Sequence, residues 1–410
     1  DPYIETIWQY TSLTDSLPGY FSDEMASSGL AVGKVNGSDL LFLIASSSFH
    51  AAVTVLDPLN GEMLDMTLNL GGISEGSYLL RDVGITEDGV IFASNGALPG
   101  EDFKVYKWTD PSQEPLCVYR AEQIAYRVGD HITLSGRYDD GTLVLYAPAS
   151  HANKMLKLNW NTVSECFDSE QINLMRTNHG NASMAPIAGS DQFYMNSTGE
   201  FLIRYSAKGL LQSWMKDNYH LPLNANAMVS FEYNEKNFIA SYTADTESAH
   251  IVEVSDGLKN ALPAGSTYRL GIRENPGDVG SVRLSDNGDG SFTLYVLGDR
   301  NGLGAYRFDA ASAMVSIAAA PDAMHFRLEA NYPNPFNPVT TIPYELDRNS
   351  EITIAIYDLN GRLVRTLYEG YRMAGSYQLH FDASGLSSGV YICSMRSGKH
   401  AVNRKLTLIK

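Results

Sequence analysis

Gly385-Leu386-Ser387-Ser388-Gly389 has the spacing of a nucleophile elbow, in which a serine on a strained strand-to-helix turn presents its hydroxyl for acyl transfer. That geometry needs a helix after the serine. Here strand-like sequence lies on both sides, so the segment reads as a turn. A second constellation, Asp286-Asn287-Gly288-Asp289-Gly290, offers the carboxylates of Asp286 and Asp289 to calcium, a hard cation that takes oxygen ligands. It lacks the full spacing of an EF-hand loop and the terminal glutamate, and a hairpin tip uses the same residues. No HExxH, no phosphate-binding loop and no dinucleotide fingerprint followed by an acidic residue occurs. The three cysteines, Cys117, Cys166 and Cys393, are widely spaced and odd in number, which supports neither a disulfide framework nor a paired metal site. They read as small hydrophobes on strands, with a single Cys117–Cys166 bridge as the alternative.

The elements that position these residues are strands. Before position 320, β-branched or alternating runs of 5–8 residues are separated by Gly, Asp and Asn turns, and no stretch sustains a 3.6-residue period. Hairpin chemistry recurs at Asp57-Pro58-Leu59-Asn60-Gly61, Glu87-Asp88-Gly89, Asp139-Asp140-Gly141 and Asp286 to Gly290. Units of three or four strands open near Leu30, Asp82, Ile132, Met184, Met228 and Val282, a spacing of roughly 45–50 residues that suits the blades of a propeller. Second strands are expected at Leu40–Ala45, Val90–Ser94, Thr142–Tyr146, Phe193–Asn196, Phe238–Tyr242 and Phe292–Leu297. The sixth unit runs out after Gly304 to Phe308, and pairing it with Ile4 to Tyr10 closes the ring, as radial sheets do to avoid open edges. The expected fold is therefore all-β: a six-bladed β-propeller over residues 1–320, a linker at 321–328, and a small Ig-like β-sandwich at 329–410. A stack of two β-sandwiches is the competing architecture.

In a ring, the polar residues at the starts of the inner strands converge on a central funnel where ligands bind: Arg81, Asp82, Asp130, His131, His179, Asn181, Asn226 and Asp278. The alternative is that these groups satisfy one another or channel water. Tyr10, Tyr119, Tyr126 and Tyr268 fall near strand ends, where an amphipathic ring serves either recognition, including stacking on sugars, or packing between blades.

Composition narrows the classes. Of the 410 residues, 44% are hydrophobic and 19% charged, which excludes a disordered polyelectrolyte, and the longest apolar run, Leu40 to Ala45, is far short of a membrane span. A formal net charge of −17 without a basic cluster argues against nucleic acid. The first residue is Asp1 and no charged, then apolar leader follows, so any secretory signal is expected to have been removed.

Past Ala319 the texture changes. Leu328-Glu329-Ala330-Asn331-Tyr332-Pro333-Asn334-Pro335-Phe336-Asn337-Pro338 is followed by Thr340-Thr341-Ile342-Pro343-Tyr344-Glu345-Leu346. Alternation at Ile352, Ile354 and Ile356, the Asp358-Leu359-Asn360-Gly361-Arg362 turn, Gly389-Val390-Tyr391 and a last strand through Lys405 to Lys410 complete the pattern. This resembles the type A C-terminal sorting domain of type IX secretion substrates. The resemblance implies handling by the type IX machinery, export across an outer membrane, and either release or attachment to the cell surface. The prolines freeze an extended segment that lacks three amide donors, so it can lie at a sheet edge without inviting another strand. The region before it resembles uncharacterised secreted β-propellers, without a fingerprint to quote.

The expected function is thus a secreted or cell-surface propeller acting in binding, adhesion or extracellular assembly, with a glycan or protein ligand. Self-association into an oligomer or polymer through the sorting domain is a further expectation. The alternative is a propeller-type hydrolase or lactonase with a central calcium.

Overall fold

A computed structural model describes residues 3–14, 17–21, 25–47, 50–215, 221–273, 275, 279–319, 326–346, 350–373, 375–397 and 400–410. The chain divides into two compact units, Asp1–Ile317 and Ala318–Lys410. Both are built of antiparallel sheets, so the chain is all-β.

Among the described residues the first unit contains six sheets, five of them meanders in sequence order. Sheet I comprises Ala26–Val35, Ser38–Ser46, Ala51–Leu56 and Met63–Thr67. Sheet II comprises Tyr78–Ile85, Ile91–Gly96, Phe103–Trp108 and Leu116–Ala121. In sheet III the first strand is broken into Arg127–Val128 and Thr133–Ser135, both paired with Val144–Ser150, and Lys154–Asn161 and Cys166–Asn173 follow. Sheet IV comprises Ala182–Pro186, Phe193–Ser197, Ile203–Tyr205 and Leu211–Trp214, and sheet V Ala225–Tyr233, Lys236–Thr243, Ser248–Glu253 and Leu262–Ser266. Sheet VI joins the two ends of the unit: Gly280–Asp286, Ser291–Gly298 and Gly302–Asp309 are completed by Ile4–Thr11, paired from Ile4↔Phe308 to Thr11↔Gly302 with a register shift between Thr6 and Trp8.

Burial is greatest in the middle strands and least in the last. Ile91–Gly96 and Ser291–Gly298 are buried throughout, whereas Met63–Thr67 and Cys166–Asn173 are largely exposed. The buried strands read as apolar runs because both of their faces are covered, while the outer strands carry charge that discourages edge-to-edge pairing.

The apolar faces pack sheet against sheet in sequence. Phe42 and Val55 of sheet I meet Leu80, Ile91 and Trp108 of sheet II, and Phe92 and Phe103 meet Leu145, Leu158 and Trp160 of sheet III. Met155 and Ile172 meet Phe193 and Tyr205 of sheet IV, and Ala185 and Tyr194 meet Ile239 and Val252 of sheet V. Phe238 and Tyr242 meet Phe292 and Tyr306 of sheet VI, with Ile4 in the same cluster. The series returns to its start, since Tyr295, Leu297 and Leu303 of sheet VI pack on Leu30, Leu41 and Leu43 of sheet I. Gly29 allows the first strands of sheets I and II to approach, because a Cβ there would lie 2.9 Å from Arg81 O and Asp82 Cα.

The strand pattern did not signal the helix Ala310–Ala319, which follows sheet VI. Asp309 caps it, its carboxylate accepting the Ser312 backbone N–H at 2.9 Å and the Ser312 hydroxyl at 2.7 Å. Of the expected linker at 321–328, residues 321–325 lie outside the described residues. Phe326–Leu328 is a strand of the second unit rather than linker, because Phe326 and Leu328 bury their side chains in that unit's core.

The second unit has two sheets, Phe326–Leu328, Val339–Leu346 and Gly375–Asp382 in one, and Leu363–Arg372, Ser350–Tyr357, Gly389–Ser397 and His400–Leu408 in the other. They share one core, in which Ile342 and Tyr344 of the first sheet meet Ile352, Ile354, Ile356 and Met395 of the second.

Candidate functional site

Four of the residues expected at the inner-strand starts come together. Asp82 is fully buried. Its carboxylate accepts the backbone N–H groups of Val83 at 2.9 Å and Ile132 at 2.8 Å, and Arg283 Nη2 reaches both of its oxygens at 2.9 Å. Asp130 accepts from Arg127 Nε at 2.8 Å, Arg127 Nη2 at 2.6 Å and the Ser150 hydroxyl at 2.6 Å. Arg81 Nε stands 3.5 Å from Asp130 Oδ1, and its guanidinium lies 5.0 Å over the Tyr78 ring. His131 Nδ1 is 3.8 Å from Asp82 Oδ2.

Electrostatics follow from that packing. Burial pushes the Asp130 carboxyl up, but the charges of Arg81 and Arg127 with the Arg127 and Ser150 hydrogen bonds outweigh it and hold the group at about 2. Burial pulls His131 down to about 4 against the attraction of Asp82, so the ring is neutral at pH 7 and its contact with Asp82 is dipolar. Sequence reasoning missed Arg283 and Arg127. The signal for Arg283 was a charged residue between Val282 and Leu284 in a first strand, a place where an arginine persists only when paired.

The other expected residues sit differently. The His179 side chain is 64% exposed and faces Glu200 at 3.5 Å, away from the buried network. Asn181 and Asn226 are buried, Asn226 where the register of sheet V slips between Ala225 and Ala227. Asp278 lies outside the described residues. Around these positions the first and second strands carry buried polar atoms without hydrogen-bond partners: Ser94 Oγ, Ser183 Oγ, Asn196 Nδ2, Thr243 Oγ1 and Ser281 Oγ. Buried groups of this kind are normally satisfied by water or ligand.

Arg283 also lines a cavity of ≈ 240 Å³ that receives residues from all six sheets, among them Val32, Ile85, Leu134, Pro186, Val229 and Leu284. Its lining side chains are apolar apart from Arg283, Thr133 and Ser230, and the last two hydroxyls are bonded to the carbonyls of Met184 at 2.8 Å and Pro186 at 2.7 Å.

Two further clusters carry chemistry. At the seam of sheets V and VI, the Tyr242 hydroxyl donates to Glu247 Oε2 at 2.6 Å, and Asn275 Nδ2 lies 3.1 Å from the same hydroxyl. Burial pushes the Glu247 carboxyl up to about 7, against the hydrogen bonds of Tyr242, Asn275 and Asn301. In the Asp286–Gly290 hairpin, Asp286 accepts from Gly288 N at 2.8 Å, and Asp289 accepts from Ser291 N at 3.0 Å, Ser291 Oγ at 2.6 Å and Arg307 Nη2 at 2.7 Å. The Ser291 hydrogen bonds chiefly hold the Asp289 carboxyl below its ordinary range. Among the described residues, no group of three or more His, Cys, Asp and Glu is arranged to hold a metal.

In the second unit the proline-rich segment lies along the last strand. Asn334 Oδ1 accepts Thr407 N at 2.9 Å and Asn334 Nδ2 donates to Lys405 O at 3.1 Å. Phe336 N donates to Thr407 O at 2.9 Å, Ile409 N donates to Phe336 O at 3.0 Å, and the Phe336 ring is buried in the core. Ala383 N donates to Pro338 O at 2.9 Å, so the segment is tied at both ends while Pro333, Pro335 and Asn337 stay exposed. Residues 330–410 match the family model of the secretion system C-terminal sorting domain. The second unit is a type IX secretion sorting domain.

This sorting domain makes the protein a secreted or cell-surface one, exported by the type IX system. Among the described residues no helix is long and apolar enough to cross a membrane. Gly361 turns the Asp358–Arg362 hairpin of the sorting domain at φ 77°, Gly389 opens the strand Gly389–Ser397, and Lys405 pairs with Ile392 in the last strand. The GxSxG stretch is a turn between Gly375–Asp382 and Gly389–Ser397, with Leu386 N bonded to Ala383 O at 2.9 Å and no helix after the serine. The fold is similar to the crystal structure of a DUF4623 family protein from Bacteroides eggerthii, at 13% identity and a TM-score of 0.57 over 71% of each chain. No curated protein matches the sequence.

Proposed function

We propose that the exported chain is a binding protein, that its first unit is a six-bladed propeller, and that the ligand enters the central cavity. The observation that carries this reading is the cavity wall, to which every one of the six sheets contributes. Apolar packing of sheet VI on sheet I and the pairing of Ile4–Thr11 with Gly302–Asp309 support closure of the ring. A rigid channel of this kind holds a ligand without the cost of ordering mobile loops, and its few polar groups set orientation. Arg283, on the cavity wall, is already neutralised by Asp82, which favours an uncharged or apolar group beside it. The second unit is read as a small Ig-like sandwich, a reading that its two sheets over one shared core support.

The test is binding by the full-length protein, against a panel of soluble glycans and peptides, beside the variant Val229→Trp, which fills the cavity. Saturable binding by the parent and its loss in a variant of unchanged melting temperature is the expected result. Equal binding by both proteins rules out the cavity. Turnover of a panel member that depends on added calcium would replace this reading with that of a propeller-type hydrolase or lactonase.

A further inference from the structure

Beside the central cavity, a groove of ≈ 330 Å³ runs between sheets III, IV and V and shares Pro186 and Ser230 with the cavity wall. The turn Ile187–Gln192 forms one bank and the strand ends at Ser135, Glu232 and Asn237 the other. Resting on the reading of the first unit as a ligand-binding module, we propose that this groove binds a neutral oligosaccharide.

The argument is chemical. Tyr146 and Phe231, both half-buried, give the groove apolar ring surface. Around them stand the Ser135 and Tyr146 hydroxyls, the Asn237 side-chain amide and the carboxylates of Asp191 and Glu232, a mixture of donors and acceptors. A pyranose presents the complement: an apolar C–H face for an aromatic ring, and neighbouring hydroxyls that donate to carboxylates and accept from an amide or phenol. No lysine or arginine lines the groove, and the guanidinium of Arg204 is committed to the lining residue Gln192, whose Oε1 it meets at 2.7 Å. Two carboxylates without a cation repel phosphate, sulfate or uronate groups. An extended basic peptide fits the charge, but it needs an open strand edge for main-chain pairing, and here the walls are strand ends, a turn and Pro186, which has no amide to donate.

The experiment is calorimetric titration of the full-length protein with neutral β- and α-linked glucose, xylose and mannose trisaccharides, with a sulfated trisaccharide and oligolysine as controls. The variants are Tyr146→Phe and Asn237→Ala, which remove single hydrogen-bonding groups, together with Glu232→Gln and the cavity-filling Val229→Trp. At least one neutral trisaccharide binds, affinity falls about tenfold in the Tyr146→Phe/Asn237→Ala double variant at unchanged melting temperature, and neither control binds. The proposal is overturned if no neutral trisaccharide binds. It is overturned equally if binding is indifferent to the double variant; loss of that binding in Val229→Trp alone would then leave the central cavity standing as the site. Oligolysine binding that Glu232→Gln abolishes would overturn it in favour of a basic peptide.

Discussion

Arg283 and Asp82 lie 201 residues apart in sequence and meet inside the first unit, one Nη2 at 2.9 Å from both carboxylate oxygens. The pair joins Gly280–Asp286 of sheet VI to Tyr78–Ile85 of sheet II, sheets that are not consecutive in sequence. Because Asp82 also receives Ile132 N, a single fully buried carboxylate ties three sheets together.

Removing one partner leaves the other buried and uncompensated. Asp82→Ala is therefore expected to cost about 3–5 kcal/mol of unfolding free energy, whereas the double change Asp82→Leu/Arg283→Leu costs less than the sum of its parts. Denaturant unfolding of the four proteins measures the coupling. A strictly additive cycle would show that the two side chains do not act as a pair.

Deleting residues 1–11 strips sheet VI of its fourth strand and exposes the edge of Gly302–Asp309. Ile4 leaves its apolar cluster as well. A fall in melting temperature on the order of 10 °C is expected, with aggregation visible by light scattering. A truncated protein that melts with the parent would mean that the N-terminal strand closes nothing.

How much of this was legible is clearest strand by strand. The expected second strands Leu40–Ala45, Phe193–Asn196, Phe238–Tyr242 and Phe292–Leu297 fall within strands that are largely buried, because such strands must be continuous apolar runs between turns, whereas Val90 and Thr142–Leu143 lie ahead of the strands Ile91–Gly96 and Val144–Ser150. Five of the six expected unit openings lie in first strands, and Ile132 lies in the break of the sixth, where the alternation is interrupted by Gly129 at φ 93°. The buried polar network was half legible. Residue types at strand starts pointed to Arg81, Asp82, Asp130 and His131, but pairing with Arg283 depends on side chains crossing between sheets distant in sequence, which no local pattern encodes. His179 failed for a related reason: one residue of phase at a loop-to-strand junction moved its side chain to the surface beside Glu200. The Cys117–Cys166 alternative also depended on facing. Cys117 and Cys166 are free and exposed on the last strands of sheets II and III, so of the three cysteines read as small hydrophobes Cys393 alone is buried.

Glu247 predicts a pH dependence. Its carboxyl is raised from an ordinary value of 4.5 to about 7, so the folded protein binds a proton that the unfolded chain releases. The stabilisation is complete below the unfolded value and is lost as pH rises from about 4.5 through 7, a swing of about 3 kcal/mol. Glu247→Gln, which keeps an acceptor for the Tyr242 hydroxyl and cannot ionise, should match the parent at pH 4.5 and exceed it at pH 8. Melting curves across that range decide it, and parallel curves for the two proteins would refute the shift.

Calcium separates the two readings of the Asp286–Gly290 hairpin. With the Asp289 carboxylate committed to Ser291 and Arg307, millimolar calcium should leave the melting temperature unchanged, and Asp289→Asn should not alter any calcium response. A saturable upward shift that disappears in Asp289→Asn would make the hairpin a calcium site.

In the sorting domain, the side chain of Asn334 replaces the main-chain pairing that prolines on both sides cannot supply. Its amide bridges Thr407 N and Lys405 O, and two residues later Phe336 exchanges backbone hydrogen bonds with Thr407 O and Ile409 N while anchoring its ring in the core. The exposed edge of His400–Leu408 is thereby held by one amide and one backbone step. Asn334→Ala removes the amide bridge and leaves the Phe336 anchor, so the core stays intact while the last strand frays. Thr407 N should exchange with solvent about fivefold faster, with a small change in overall melting, since about 1 kcal/mol of local protection is lost. If the export machinery reads the folded C-terminal edge, the same variant is secreted less efficiently, whereas Asn337→Ala, at an exposed neighbouring position, is secreted normally. Hydrogen exchange at Thr407 together with the secreted fraction of both variants tests the clamp: unchanged exchange in Asn334→Ala removes its structural basis, and faster exchange with normal secretion separates the clamp from export.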